Sequence, residues 1–152
     1  MPRMMCAVLV AAILAAAACD KILKDTKTQP SPALTSVEGL GGNWASVSSA
    51  TTQQNVCTDF KWNVSQFANG TASGTFTAAC QGSLLVTGTG SATLSGNKIN
   101  WTMTGNSNAA GGQACAVSLS GSAVWEVNQI RVPYSGTTCQ GAVSGTEILR
   151  KS

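Results

Sequence analysis

The sequence predicts an all-β domain, most simply a small antiparallel up-and-down barrel of about eight strands, with a two-layer β-sandwich as the alternative. Apolar and polar residues alternate through much of residues 37–152, which is the pattern of half-buried strands. Turn-forming residues recur between the alternating runs, and no stretch has the period of an amphipathic helix. A closed barrel also removes the strand edges that such a weakly charged chain would otherwise expose.

The first half of the domain contains four apolar runs separated by turn signals. Residues 60–64 alternate apolar and polar side chains, and the Asn-Gly pair at 69–70 tolerates the positive φ of a hairpin turn. Residues 75–78 alternate in the same way on the returning strand. The short runs 84–86 and 92–94 follow in a background of Gly, Thr and Ser.

The second half continues the pattern. A Gly-Asn turn at 96–97 precedes the alternating run 99–104, and residues 106–113 form the longest predicted loop because they are rich in Asn, Ala and Gly. The remaining predicted strand runs are 117–119, 125–127, 130–134 and 143–150, with a turn expected at Asn128-Gln129.

The N-terminal residues have the plan of an export signal. Residues 4–18 are uncharged, follow Arg3 and end in small residues, alanines at 16–18. An apolar helix needs roughly 18 residues or more to cross a bilayer, and this run is shorter and is followed by polar residues. A permanent transmembrane helix is therefore the weaker interpretation.

Residues 16–19, Ala-Ala-Ala-Cys, resemble the lipobox of bacterial lipoprotein precursors. The chain departs from that family in having Ala, where Leu is usual, three positions before the cysteine. The resemblance covers about the first 20 residues. It implies a signal peptide over 1–18, acylation of Cys19 by chains such as palmitate, and a cell-envelope protein attached to a membrane through lipid and facing the periplasm or the exterior. Ordinary cleavage after Ala18, giving a secreted protein, is the alternative.

The segment after the lipobox predicts a tether. Residues 19–36 mix both charge signs with Pro30 and Pro32 and contain few large apolar residues. The β domain is therefore expected over residues 37–152. Its opening Gly42-Asn43-Trp44 resembles the Gly-X-Trp start of lipocalin-like and avidin-like barrels, a likeness that concerns architecture and carries over no ligand residues.

The cysteine count supports lipidation. Removal of the signal peptide leaves Cys19, Cys57, Cys80, Cys115 and Cys139, an odd number for an oxidising compartment. If Cys19 becomes a thioether, four cysteines remain and can form two disulfides. The odd number of cysteines and the lipobox-like sequence thus both point to Cys19.

Of the three possible connectivities, Cys57 with Cys80 and Cys115 with Cys139 is preferred, because each pair brackets a predicted hairpin. A turn at residues 128–129 does not place Cys115 opposite Cys139, so a bulge near Pro133 is expected to restore the register. A zinc site is the rival interpretation. The long spacings and the absence of His argue against it, and no metal or other cofactor is predicted.

Composition excludes several functions. The chain has a formal net charge of +3 and no His, so it lacks both a basic stripe for nucleic acid and the usual general base of Ser-His-Asp or Cys-His sites. Asp59 and Glu126 are expected to face solvent, with Glu126 opposite Arg131. Glu147 has an undetermined phase, because the two residues after it are both apolar.

A ligand site built from aromatic side chains and one carboxylate is the remaining candidate, although such aromatic residues more often fill a core. Its members are Trp44, Trp62, Trp101, Trp125 and Glu147.

Three functions follow from these candidates. The first is a non-catalytic, lipid-anchored domain that binds a small or carbohydrate ligand or an envelope partner. The second is a structural or adhesive module without a pocket, and the third is a hydrolase. A vacant, aromatic-lined cavity would favour the first and a filled core the second. A second carboxylate beside Glu147 would favour the third.

Overall fold

Eight antiparallel strands close into a barrel in which each strand pairs with its neighbours in sequence and the last strand returns to the first. The barrel prediction is thus confirmed over the sandwich. The computed structural model describes residues 33–47, 55–82, 84–108, 114–126 and 128–152. The predicted signal peptide 1–18, Cys19 and the tether up to residue 32 lie outside the described residues.

The strands are β1 (Gly42–Ser46), β2 (Cys57–Ala68), β3 (Thr71–Cys80), β4 (Leu84–Ser95), β5 (Lys98–Asn108), β6 (Ala114–Glu126), β7 (Gln129–Thr138) and β8 (Gly141–Lys151). Inward-facing positions alternate with outward ones along each of them, as the sequence pattern predicted. The runs 84–86 and 92–94 belong to one strand, β4. The strand β5 extends to Asn108, so the predicted loop begins later than expected, and residues 109–113 lie outside the described part of the chain.

The predicted hairpin turns at residues 69–70 and 96–97 are confirmed. Ala68 pairs with Thr71 and Ser95 with Lys98, which leaves two-residue loops. Asn69 has a φ of 51° and Gly70 of 71°, the left-handed conformations that such tight loops require.

The predicted turn at Asn128-Gln129 is wrong by one residue. Glu126 pairs with Gln129, so Gln129 belongs to the strand pairing rather than to the turn, and Asn128 has the positive φ, 63°. Gln129 instead begins β7. The expected bulge near Pro133 is also wrong, since the pairs on either side of it, Ser120 with Ser135 and Val124 with Arg131, follow the same register.

A short 3-10 helix that the sequence did not predict, Val37–Leu40, precedes β1. Val37 and Leu40 are buried in the same apolar cluster as the barrel interior. Trp44 donates a hydrogen bond from Nε1 to the carbonyl oxygen of Leu40 at 2.7 Å. The helix therefore packs where the chain enters the barrel. No helix among the described residues is long and apolar enough to cross a membrane.

The up-and-down topology gives the barrel two different ends. We call the end where the chain enters the entry end; it holds the 3-10 helix, the turns at 69–70 and 96–97, Asn128, and the end of β8. We call the opposite end the disulfide end; it holds the bridges Cys57–Cys80 and Cys115–Cys139. All covalent cross-links of the described chain lie at that end.

Candidate functional site

The barrel interior is filled by side chains. Trp44, Trp62 and Trp101 point inward and are 2%, 4% and 5% exposed. A gap of about 10 Å³ borders Trp62, Trp101 and Met103, which is at most the space of one water molecule. Three of the four tryptophans proposed as ligand contacts therefore belong to the packed core.

Two indole groups in this core are unusual for buried donors. The Nε1 atoms of Trp62 and Trp101 have no hydrogen-bond partner among the described residues, and both rings border the gap. Their N–H groups could donate to a small acceptor, but the gap has no room for a sugar ring or an apolar ligand.

Trp125, the fourth predicted contact, lies at the entry end and is half-buried. Its ring meets that of Trp44 edge-on, with 5.7 Å between centroids. Lys151 Nζ lies 5.4 Å from the centroid of the Trp44 ring. Trp44 and Trp125 thus meet at the entry end, while Trp62, directly opposite Trp44 on the next strand, borders the gap together with Trp101.

Glu147 points into the barrel and is 5% exposed, which settles its phase on β8. Ser46 Oγ donates a hydrogen bond to its carboxylate. Ser46 Oγ also accepts a hydrogen bond from the Phe60 backbone N–H at 3.2 Å. These two bonds link β1, β2 and β8 where the barrel closes. The bond from Ser46 also offsets part of the cost of removing the Glu147 carboxylate from water.

Tyr134 lies in the same region of the barrel. Its ring packs against Phe60 with centroids 5.3 Å apart, and its hydroxyl bonds both backbone polar groups of Cys57. Burial raises the pKa of the Tyr134 hydroxyl, and the charge of Glu147 raises it further, while the hydrogen bond to Cys57 lowers it. The sequence analysis did not single out Ser46, because neither composition nor residue spacing indicates that it contacts Glu147.

The other two acidic candidates are engaged in surface contacts. Asp59 lies 3.6 Å from Lys61 Nζ. Glu126 accepts hydrogen bonds from Gln129 at 2.6 Å and from Arg131 at 2.8 Å, and these bonds lower its pKa. The predicted contact with Arg131 is formed, although Arg131 lies directly opposite Val124 in the ladder. No group of three or more His, Cys, Asp or Glu side chains in the described ranges is arranged to hold a metal ion.

Both disulfides have the connectivity that the sequence favoured, Cys57 with Cys80 and Cys115 with Cys139. Cys57 and Cys80 lie directly opposite each other on β2 and β3 and are fully buried. Two bridges indicate an oxidising compartment outside the cytoplasm. They also account for every cysteine of the barrel.

The outer wall of the barrel carries a feature that the sequence analysis did not single out. An open groove of about 590 Å³ crosses β4 to β7 near the disulfide end. Thr89, Thr104 and Ser118 lie opposite one another on successive strands, and their side chains face outward. The side chains that line the groove are uncharged and include those of Thr87, Thr89, Thr104, Asn106, Ser118 and Thr137. The sequence feature that corresponds to this surface is the set of polar residues that alternate with the apolar ones along these strands.

The fold and site together define a small, disulfide-bonded, antiparallel barrel with a filled interior and an uncharged, hydroxyl-rich outer wall. Comparisons with protein-family models, with curated proteins and with solved structures found no match.

Proposed function

We propose that the chain is an exported lipoprotein of the bacterial cell envelope, attached to a membrane through acyl chains on Cys19. The observation that carries the proposal is the pairing of the other exported cysteines. Because Cys57, Cys80, Cys115 and Cys139 are bonded to one another, Cys19 is the odd cysteine of the exported chain, and it stands at the end of a lipobox-like sequence.

Acylation supplies a durable anchor only when more than one chain is attached. Each buried methylene contributes ~0.8 kcal/mol, and a single chain alone holds a protein to a membrane only marginally. A lipoprotein cysteine that carries several acyl chains would keep the barrel at the surface of its membrane through the tether 19–36.

The anchor is tested by labelling cells with a radioactive fatty acid while they express the wild type, Cys19→Ser or Cys6→Ser. Cys6 is the matched control, because it is the other cysteine outside the barrel and leaves with the signal peptide. We expect label in the wild type and in Cys6→Ser and none in Cys19→Ser. Equal label in all three, or none in any, would refute the proposal.

For the barrel, we propose the role of a non-catalytic structural or adhesive module that makes its contacts through the outer wall. The filled interior supports this choice, since Trp62 and Trp101 leave a gap of only about 10 Å³ between them and their neighbours. A hydrolase is less well supported, because Asp59 and Glu126 are engaged with Lys61 and Arg131 at the surface and the buried Glu147 is bonded to Ser46.

Binding of a small or carbohydrate ligand is the second candidate, and the outer groove favours it. Its hydroxyl and amide side chains both donate and accept hydrogen bonds, which suits a neutral, polyhydroxylated molecule. We would compare Thr104→Arg, inside the groove, with Thr93→Arg, an exposed residue of β4 outside it, by calorimetric titration with a neutral oligosaccharide. Loss of binding only in Thr104→Arg would support this candidate, and equal heats in the two variants would exclude it.

A further inference from the structure

We infer that the entry end of the barrel docks on an anionic phospholipid surface. The described barrel contains five lysine and arginine residues, and four of them lie toward this end. They are Lys98 on β5, Arg131 on β7, and Arg150 and Lys151 at the end of β8.

Three of the four cations lie on the outer wall, and Lys151, which pairs with the inward Trp44, lies over the open end of the barrel. Lys98 pairs with Val124, which pairs with Arg131, so these three side chains form one row across β5 to β7. Arg150 lies opposite Gln129, beside the loop that joins β6 and β7. All four cationic residues are exposed, and their charges are therefore accessible to solvent at this end of the barrel.

Acidic residues offset only part of this charge. Glu126 pairs with Arg131 at 2.8 Å, and Glu38 lies in the 3-10 helix at the same end. Four cations against these two carboxylates leave an excess of two positive charges at the entry end. The rest of the described barrel has no positive excess, because Lys61 is paired with Asp59 and Glu147 is buried.

The row also contains an apolar side chain. Val124 is 39% exposed between Lys98 and Arg131. An exposed apolar residue flanked by long cationic side chains fits an interface in which ammonium and guanidinium groups meet phosphates and an aliphatic group meets the headgroup boundary. An acidic protein partner, in contrast, would be bound by the cations alone and would not require the exposed Val124.

The chain path gives this end its orientation. Lys151 Nζ lies 3.5 Å from the carbonyl oxygen of Gly39, so this cation adjoins the segment through which the chain enters the barrel. A lipid on Cys19 would bring that segment nearest the membrane, a step that rests on the proposed anchor. Attraction between exposed cations and anionic headgroups acts over about 10 Å at 0.1 M salt, and each cation near the surface contributes to it.

The test uses the exported chain, residues 19–152, with Cys19→Ser, so that no acyl group contributes. Its flotation with vesicles of phosphatidylglycerol and phosphatidylcholine is compared with flotation on phosphatidylcholine alone at low salt. We expect binding only to the anionic vesicles. The paired substitution Lys98→Gln and Lys151→Gln should lower the partition coefficient about fivefold for each charge removed.

Lys61→Gln is the matched control, since it removes an exposed lysine whose charge is already offset by Asp59, 3.6 Å away; we expect less than a twofold change. A second measurement labels amines with a water-soluble reagent. On anionic vesicles, Lys98 and Lys151 should become protected relative to Lys61, and high salt should reverse the protection.

Absence of flotation on anionic vesicles, or equal loss in the Lys61→Gln and Lys98→Gln/Lys151→Gln variants, would overturn the inference. Equal labelling of all three lysines on the vesicles would also overturn it. Failure of fatty-acid labelling at Cys19 would refute the anchor and leave these results unaffected, so the two proposals fail separately.

Discussion

The Tyr134 hydroxyl makes two hydrogen bonds with one residue, Cys57: it donates to the carbonyl oxygen at 2.7 Å and accepts from the N–H at 2.6 Å. Tyr134 lies on β7 and Cys57 on β2, and these strands are not neighbours in the sheet. The pairing of β1 with β2 ends at Ala45 and Lys61. Cys57, at the start of β2, therefore lies beyond the part of β2 that pairs with β1. The tyrosine therefore supplies the partners that a sheet neighbour would otherwise provide.

Tyr134→Phe should destabilise the barrel by about 2 kcal/mol, because it leaves a buried N–H and a buried C=O without partners. The measurement is the free energy of unfolding from urea denaturation with both disulfides intact. Ser135→Ala, the next residue on β7 and exposed, is the control and should change stability by less than about 0.5 kcal/mol. Equal stabilities for the two variants would show that the Tyr134 hydroxyl contributes nothing.

The pH dependence of stability follows from the same hydroxyl. Burial and the charge of Glu147 raise the pKa of Tyr134 in the folded protein, so the fold favours the protonated phenol. Its contribution is fully present below the unfolded pKa of about 10 and is lost as pH rises through the higher folded pKa. Tyr134 is the single tyrosine of the chain, and the absorbance of tyrosinate thus reports it alone. A folded-state midpoint at or below that of the urea-unfolded chain would contradict this prediction.

Gly145→Ala should destabilise the barrel by about 1–3 kcal/mol through overpacking. A Cβ at this position would stand 2.6 Å from the Tyr134 hydroxyl oxygen and 2.8 Å from its Cζ, so the ring would have to move away from Cys57. Thermal unfolding of Gly145→Ala beside Ser144→Ala, whose side chain is exposed, measures the effect. In the double variant Gly145→Ala/Tyr134→Phe the two losses should be less than additive, because both act on the same contact; full additivity would disprove the coupling.

The two disulfides should open in a definite order under a mild reductant. Cys139 is exposed, whereas Cys57 and Cys80 are fully buried, and thiol attack requires access to a sulfur. Cys115–Cys139 should therefore be reduced first, as mass spectrometry of alkylated peptides would reveal. The bridges span 23 and 24 residues, so removing either one by paired Cys→Ser substitution should cost a similar ~3 kcal/mol. Simultaneous reduction of both bridges would mean that access does not control the order.

The strands were predictable because alternation and Gly-Asn or Asn-Gly turns are local signals, and residues 60–64, 69–70 and 96–97 carry them strongly. The turn after β6 was misplaced since Asn128 and Gln129 are both polar, and only the pairing of Glu126 with Gln129 decides between them. Glu147 could not be assigned a face from its apolar neighbours. Its inward direction depends on Ser46, a residue about a hundred positions away.

The outer groove could not be predicted for a different reason. Its shape depends on where the strands bend, and Gly88 and Gly105 lie opposite each other at its floor. A Cβ at Gly88 would stand 2.1 Å from the carbonyl oxygen of Thr104, so these strands approach more closely than side chains would allow. Nothing local in a Gly-Thr-Ser run distinguishes such a bend from an ordinary exposed strand.

The shortness of β1 has a mechanical consequence. With the proposed anchor, tension from the N-terminus would enter the barrel at this strand, which pairs with β8 through Trp44, Ala45 and Ser46 and lies outside the segments closed by the two bridges. Stretching would therefore act first on the 3-10 helix and on the pairs that β1 forms with β2 and β8. The barrel would therefore open first at β1, while the disulfide end stays folded.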